Sequence, residues 1–275
     1  MTAVHLLTAL PCEAKPLVDH FRLKRQMGEA AFAIYSNENI SLTVSGIGKN
    51  AMAAATAYTH LLFGKQTNSV WLNIGVAGHL EKPIGTPFLA EKIYDADSKQ
   101  SHYPSFVTPQ PCDSQTLSTF SQPQTHYPES SLCDMEASAF FEIASRFSSS
   151  ELIQCLKIIS DNEENNADKI NPKQVSSLIE KQLPLIDTVI KNFTELTNSL
   201  PATVNEIPLL LSDRWHFTTS EQRQLKELLQ RWKLLSPEQP IEESSLPSTS
   251  NRKELLHWLK EKVDSFDIVL ESKER

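Results

Sequence analysis

The chain has 275 residues with 26 basic and 34 acidic side chains, so its formal net charge is −8. This balance argues against a general nucleic-acid surface, which requires clustered Lys and Arg. Hydrophobic residues make up 40% and charged residues 22%, the usual composition of a globular protein. No apolar run approaches the ~20 residues that span a bilayer, and residues 1–10 lack the basic start of a signal peptide. We therefore expect a cytoplasmic protein that does not contact membranes.

The four cysteines are widely separated, with no C-x-x-C pair and no histidine at the spacing of metal ligands. We predict that they are reduced thiols and that the chain has no metal site. A nucleophilic Cys12 is an open alternative, although no partner base is visible in the sequence.

The first half of the chain alternates between strands and helices. Short apolar runs predict strands at residues 4–10, 40–44 and 69–74. Helices are predicted from residue 14 and over residues 50–63, where Gly64 suits the end of the second helix. Strand, helix and strand at this spacing form a βαβ unit. We therefore predict an α/β fold with a doubly wound, mostly parallel (mixed) sheet flanked by helices.

The next segments vary more in character. Residues 98–131 are rich in Ser, Gln, Thr and Pro and show no periodicity, which predicts a long surface excursion. A helix over 134–147 and a strand over 152–159 follow. Residues 176–196 have helical spacing, and Pro184 is expected to kink or split that helix.

The composition changes after Leu200, which predicts a first domain at 1–200 and a helical C-terminal extension at 201–275. A linker at 201–208 precedes a predicted helix at 220–235. A second linker, at 236–250, separates that helix from one predicted at 251–266. The tryptophans of this region favour either a small helical module or packing back onto the first domain. They are Trp215, Trp232 and Trp258.

Four stretches contain the residues that are best suited to catalysis or ligand binding. They are Ala-Leu-Pro-Cys-Glu-Ala at 9–14, Ser-Gly-Ile-Gly-Lys-Asn-Ala at 45–51, Asn-Ile-Gly-Val-Ala-Gly at 73–78, and Asp-Met-Glu-Ala at 134–137 with Ile-Ile-Ser-Asp at 158–161. In this order and spacing they resemble the purine nucleoside phosphorylase and nucleosidase superfamily. The motifs are most similar to those of the methylthioadenosine/adenosylhomocysteine nucleosidases.

The resemblance implies cleavage of the N-glycosidic bond of a purine nucleoside. Glu13 would orient or deprotonate the attacking water, and Asp161 would protonate the departing base. Glu136 would hold the ribose hydroxyls. The remaining substrate contacts implied by the resemblance are Val76, Ala77, Gly78, Phe120, Met135 and Ser160, with Met135 packing on the sugar and Phe120 stacking on the base. The resemblance also implies a homodimer or larger oligomer that uses no cofactor.

Some positions depart from the pattern of the superfamily. Val76 stands where the methylthioadenosine/adenosylhomocysteine nucleosidases have a Ser that contacts phosphate or water, and His79 replaces a glycine of the same turn. The turn at Pro11 and Cys12 lacks the glycines of the phosphorylases. These differences favour a hydrolase that acts on an adenine-type nucleoside. A phosphate-dependent phosphorylase and a homologue that binds a nucleoside without cleaving it are the alternatives.

Each carboxylate also has a simpler interpretation. Glu13 suits the first turn of a helix, where the dipole favours an acid. Glu136 suits a solvated helix face, and Asp161 suits the N-cap of a helix that follows a strand.

Overall fold

The computed structural model describes residues 3–27, 31–64, 68–124, 127–128, 130–165, 171–200, 207–236 and 238–266. Contacts between residues divide the chain into two compact units, Met1–Leu200 and Pro201–Arg275.

The described residues of the first unit form a sheet and its covering helices. The strands are β1 (Val4–Thr8), β2 (Lys24–Arg25), β3 (Ala33–Ser36), β4 (Ile40–Val44), β5 (Val70–Gly78), β6 (Pro87–Asp95), β7 (Ser101–His102), β8 (Ser114–Thr119), β9 (Leu132–Asp134) and β10 (Ile153–Asp161). The helices are α1 (Pro11–His20), α2 (Lys49–Phe63), α3 (Ala137–Ala144), α4 (Pro172–Lys181) and α5 (Leu183–Ser199).

The sheet is mixed, and its long central ladders are parallel. Strand β1 lies between β4 and β5, parallel to both, and β5 also runs parallel to β10. Strand β6 pairs antiparallel with β10 and parallel with β8, and β9 connects β8 back to β5. Strands β5, β10, β6, β8 and β9 therefore close into a ring of pairings, with β1 to β4 extending from it.

Side chains alternate between two apolar layers, one on each face of the sheet. On β1, Leu6 packs with α1, α4 and α5, whereas Leu7 packs with α2 and α3. On β5, Leu72 belongs to the same layer as Leu6, and Trp71 belongs to the same layer as Leu7. Both faces of the sheet are buried, which explains why these strands are continuous apolar runs. The predicted α/β class, with helices on both faces of a mixed sheet, is confirmed.

Several element boundaries differ from the sequence-based predictions. Residues 98–131 were expected to lack regular structure, yet β8 lies within them and pairs with two strands. Only Leu117 among its residues is a large apolar side chain, so the segment has no hydrophobic pattern to reveal it. Helix α3 begins at Ala137 rather than at residue 134, because Asp134 ends β9 and Glu136 is the N-cap.

The proline prediction is confirmed. Pro184 lies in the first turn of α5, and α4 ends at Lys181. A proline is accepted there because the first helical N–H groups have no partner within the helix. The chain thus forms two helices where apolar spacing alone predicts one.

The second unit has an apolar core of its own. Helices α6 (Leu209–Ser212), α7 (Thr219–Leu235) and α8 (Arg252–Asp264) enclose buried leucines and Trp215. Trp232 and Trp258 pack against this core, with ring centroids 6.1 Å apart. In the described parts of the chain, no helix is both long and apolar enough to cross a membrane.

The buried His5 predicts an acid-sensitive fold. Burial, aided by His60, lowers the pKa of His5 to about 4, and its Nδ1 lies 2.8 Å from the Ser41 hydroxyl. Between pH 6.5 and 4 the unfolded chain binds a proton at His5 that the folded chain does not bind. Stability should therefore decrease by on the order of 3 kcal/mol as the pH falls from 7 to 4.

Melting temperatures from pH 7 to 4.5 test this contribution. His5→Gln does not titrate, so its melting temperature should fall less with acid than that of the wild type. The exposed His257→Gln is the matched control and should behave as the wild type. Parallel pH curves for His5→Gln and the wild type would contradict the assignment.

Candidate active site

A cavity of about 390 Å³ lies at the carboxyl ends of β1, β5 and β10. In α/β sheets this edge is the usual location of a ligand site. The cavity is lined by most of the residues that the motifs singled out: Glu13, Val76, Ala77, Gly78, Met135, Glu136, Ser160 and Asp161. The sheet thus brings together four stretches that are far apart in the chain.

Glu13 is buried in the first turn of α1, with only 3% of its surface exposed. Its Oε2 accepts hydrogen bonds from the amides of Ala9 and Leu10 at 2.9 and 2.8 Å, so the first-turn interpretation is correct. Its Oε1 also accepts a 2.9 Å bond from the Val76 amide. That bond fixes the carboxyl group against the end of β5, where it lines the cavity.

The backbone of β5 is shaped for this carboxyl group. A Cβ atom on Gly75 would lie 2.7 Å from the Glu13 Oε1, so only glycine permits the approach. Burial raises the pKa of Glu13, while Lys157 and the three amide donors oppose that shift. Glu13 therefore accepts a proton more readily than an exposed glutamate.

Glu136 is the N-cap of α3 and is buried, so its interpretation as a solvated helix residue is wrong. Its Oε1 accepts a 2.8 Å bond from the amide of Gly48. Gly48 has φ +98°, a conformation that other residues rarely adopt, and this explains the glycine in the 45–51 motif. Burial, together with repulsion from Asp134, raises the pKa of Glu136 to about 7.

An ion pair holds the helix that follows Gly48 near the start of α3. Lys49 Nζ lies 3.0 Å from Asp95 Oδ2, and the same oxygen accepts a 2.7 Å bond from Ser138. Gly48 directly precedes Lys49, and Glu136 is two residues before Ser138. Asp95 therefore links α2 to α3 and supports the contact between Gly48 and Glu136.

A buried lysine lies behind the carboxylates. Lys157 Nζ is 2.9 Å from Asp134 Oδ2, and both side chains are almost fully buried. Burial alone would lower the pKa of Lys157, but attraction to Asp134 and Glu136, with a smaller part from Glu13, raises it. Lys157 is therefore positively charged at neutral pH. Lys157 stands between the apolar Leu156 and Ile158 of β10, a sequence signal that the motifs do not include.

Asp161 ends β10 and is 8% exposed. Its Oδ1 accepts a hydrogen bond from Ser160, and its Oδ2 accepts one from the phenol of Tyr127. Among the described residues, no helix amide binds its carboxylate, so the N-cap interpretation is not supported. Both side-chain oxygens instead have hydroxyl partners at the cavity wall.

The aromatic residue at the wall is not the expected one. Phe120 is not among the described residues that line the cavity, and its amide bonds to the carbonyl of Asp134. Tyr127 lines the cavity instead, beside residues 122–124. Tyr127 lies in a polar segment without periodicity, so no sequence pattern distinguished it.

Two further candidates have structural explanations. The Nδ1 of His79 accepts bonds from the amides of Glu81 and Lys82 at 3.1 and 3.2 Å, so this histidine stabilises the turn after β5. Burial and the charge of Glu13 raise the pKa of Cys12, which disfavours the thiolate that a nucleophile needs. In the described residues, no group of three or more acidic, His or Cys side chains is arranged to hold a metal ion.

No protein-family model and no curated protein sequence matches the chain. Solved structures do match. The 5′-methylthioadenosine/S-adenosylhomocysteine nucleosidase from Helicobacter pylori, solved with butyl-thio-DADMe-Immucillin-A, superimposes with a TM-score of 0.57 at 16% identity. The match covers 70% of this chain and 98% of that chain.

Two other structures support the same relationship. The 5′-methylthioadenosine nucleosidase from Arabidopsis thaliana has a TM-score of 0.57 and 17% identity, covering 73% of this chain and 98% of its own. The futalosine hydrolase of Helicobacter pylori has a TM-score of 0.52 and 18% identity, covering 70% and 97%. At these identities the comparisons establish architecture rather than activity. Over at least 70% of its length, the chain has the fold of these two nucleosidases and of the futalosine hydrolase.

Proposed function

We propose that the first unit hydrolyses the N-glycosidic bond of an adenine-type purine nucleoside, with water as the nucleophile. The observation that supports this most directly is the convergence of Glu13, Glu136 and Asp161 on one cavity. The matching structures include nucleosidases and a hydrolase, and several of those proteins were solved with nucleoside-like ligands.

Cleavage of a C–N bond to ribose leaves positive charge on the sugar and negative charge on the base. A site for this reaction must stabilise both charges in the transition state. In the proposed mechanism, Glu136 binds the ribose hydroxyls and its carboxylate favours the positive sugar. Met135 packs on the sugar.

Glu13 and Asp161 have the two proton-transfer roles. Glu13 orients the attacking water and takes its proton, which suits a buried carboxylate with a raised pKa. Asp161 delivers a proton to the departing base, as its position at the end of β10, across β5 from Glu13, allows. The bond that breaks is the sugar C–N bond, and the bond that forms joins the sugar carbon to the water oxygen.

The charges at the cavity favour water over phosphate. Among the described residues that line the cavity, none is Lys, Arg or His, whereas four are Asp or Glu. Lys157, the nearest buried cation, is already paired with Asp134. A phosphate anion would therefore meet several carboxylates without a cation to bind it.

Release of free base from a panel of purine nucleosides, with and without phosphate, tests the reaction class. We expect release from an adenine nucleoside at the same rate in both conditions, measured by chromatography. A strict requirement for phosphate would contradict hydrolysis. Binding without any cleavage would favour the non-catalytic homologue.

Asp161→Asn tests the proton donor. The amide has nearly the shape of the carboxyl group but has no proton to deliver, so kcat should fall by roughly 10²–10⁴-fold. The melting temperature should change little. Asp187→Asn, at an exposed site paired with His20, is the matched control and should retain full activity. Full activity of Asp161→Asn would refute the assigned role.

The pH dependence of kcat/KM tests Glu136. Its pKa is about 7, and only the ionised form favours a positive sugar, so activity should fall as the pH decreases through about 7. Replacement of Lys157 with Met removes a charge that favours ionised Glu136 and should move this midpoint to higher pH. The variant also leaves Asp134 buried and unpaired, at a cost of about 3–5 kcal/mol, so it is measured at low temperature.

Lys157→Arg keeps the positive charge and serves as the control. We expect its midpoint to remain near that of the wild type. An unchanged midpoint in Lys157→Met, with the protein folded, would show that Lys157 does not control the ionisation.

A further inference from the structure

The contact between Tyr127 and Asp161 is built into the cavity wall. Tyr127 is 9% exposed, and its phenol donates a hydrogen bond to Asp161 Oδ2. The two side chains meet over the backbone of Gly78. A Cβ atom on Gly78 would lie 2.5 Å from that oxygen and closer still to the tyrosine ring. The absence of a side chain at this position is thus what allows the phenol to reach the carboxylate.

This contact opposes the role that the proposed function gives to Asp161. With Ser160 on Oδ1 and Tyr127 on Oδ2, both oxygens are engaged. A departing base needs one of these oxygens free, in order to approach it and to receive its proton.

The two hydroxyl partners differ in position. Ser160 is the neighbour of Asp161 on β10 and also lies near the carbonyl of Ala77, at 3.4 Å, so the sheet holds it in place. Tyr127 comes from outside the described strands, on the segment whose residues 122–124 line the same cavity. Tyr127 is therefore the partner that a ligand can replace without disturbing the sheet.

We infer that Tyr127 is a competitor for the base-binding oxygen of Asp161: its phenol occupies Oδ2 in this structure, and a purine base must displace it. This inference rests on the proposed function for the identity of the ligand. The residue would then set the affinity of the site for the base. It is distinct from the stacking aromatic that the motifs suggested at Phe120.

Binding of free adenine, measured by calorimetry, tests the inference without any need for turnover. Tyr127→Phe retains the ring but cannot bond to Asp161, so the base no longer has to displace a hydrogen bond. We expect adenine to bind about tenfold more tightly to the variant than to the wild type, given the usual net strength of one hydrogen bond to a charged group. Tyr103→Phe removes a phenol from an exposed tyrosine and should change nothing.

Steady-state kinetics separate competition from a direct part in catalysis. Competition predicts that KM for a cleaved nucleoside falls in Tyr127→Phe while kcat changes less than twofold. A large loss of kcat at unchanged KM would overturn the inference, because Tyr127 would then assist proton transfer. Weaker or unchanged adenine binding would overturn it as well.

A double-mutant cycle, read out as melting temperatures of the ligand-free protein, tests the contact between Tyr127 and Asp161. Tyr127→Phe should lower the melting temperature of the wild type but not that of Asp161→Ala, which has no acceptor. Additive effects would refute the contact. If nucleosides are nevertheless cleaved, the inference fails while the proposed function stands. Coupled effects without adenine binding or cleavage in any variant would refute both the inference and the proposed function.

Discussion

The arrangement of the site depends on one buried positive charge. Lys157 lies inside β10, and its ammonium group is paired with Asp134 while also attracting Glu136 and Glu13. Three acidic groups confined to the end of a parallel sheet repel one another when they are ionised. Lys157 offsets part of this repulsion from behind the cavity. The cavity itself therefore has a negative lining, suited to a developing positive charge.

The sheet determines where the acidic groups meet. Parallel strands β1, β5 and β10 end at one edge, so Glu13 in the turn after β1 and Asp161 at the end of β10 lie on either side of β5. Glycines at the end of β5 bring the backbone close to both: Gly75 to Glu13, and Gly78 to Asp161. The amide of Val76 bonds to Glu13 and fixes that carboxyl group against the end of β5.

The chain combines a familiar architecture with unfamiliar contacts. It matches solved nucleosidase structures over nearly their whole length, yet fewer than one residue in five is identical. His79 and Tyr127 have contacts that account for their presence. His79 closes a turn, and Tyr127 binds a carboxylate. The second unit forms a separate leucine and tryptophan core.

The sequence by itself determined the α/β class, the split at Pro184 and the motif residues that meet at the cavity. Those features depend on local patterns: apolar runs, a missing N–H, and glycines beside short polar motifs. Strand β8, the Lys157 ion pair and the contact of Tyr127 with Asp161 were decided only by tertiary structure. Strand β8 has almost no apolar pattern and forms because β6 and β9 provide partners on both sides. The two polar contacts join residues 23 and 34 positions apart, and nothing local specifies such pairs.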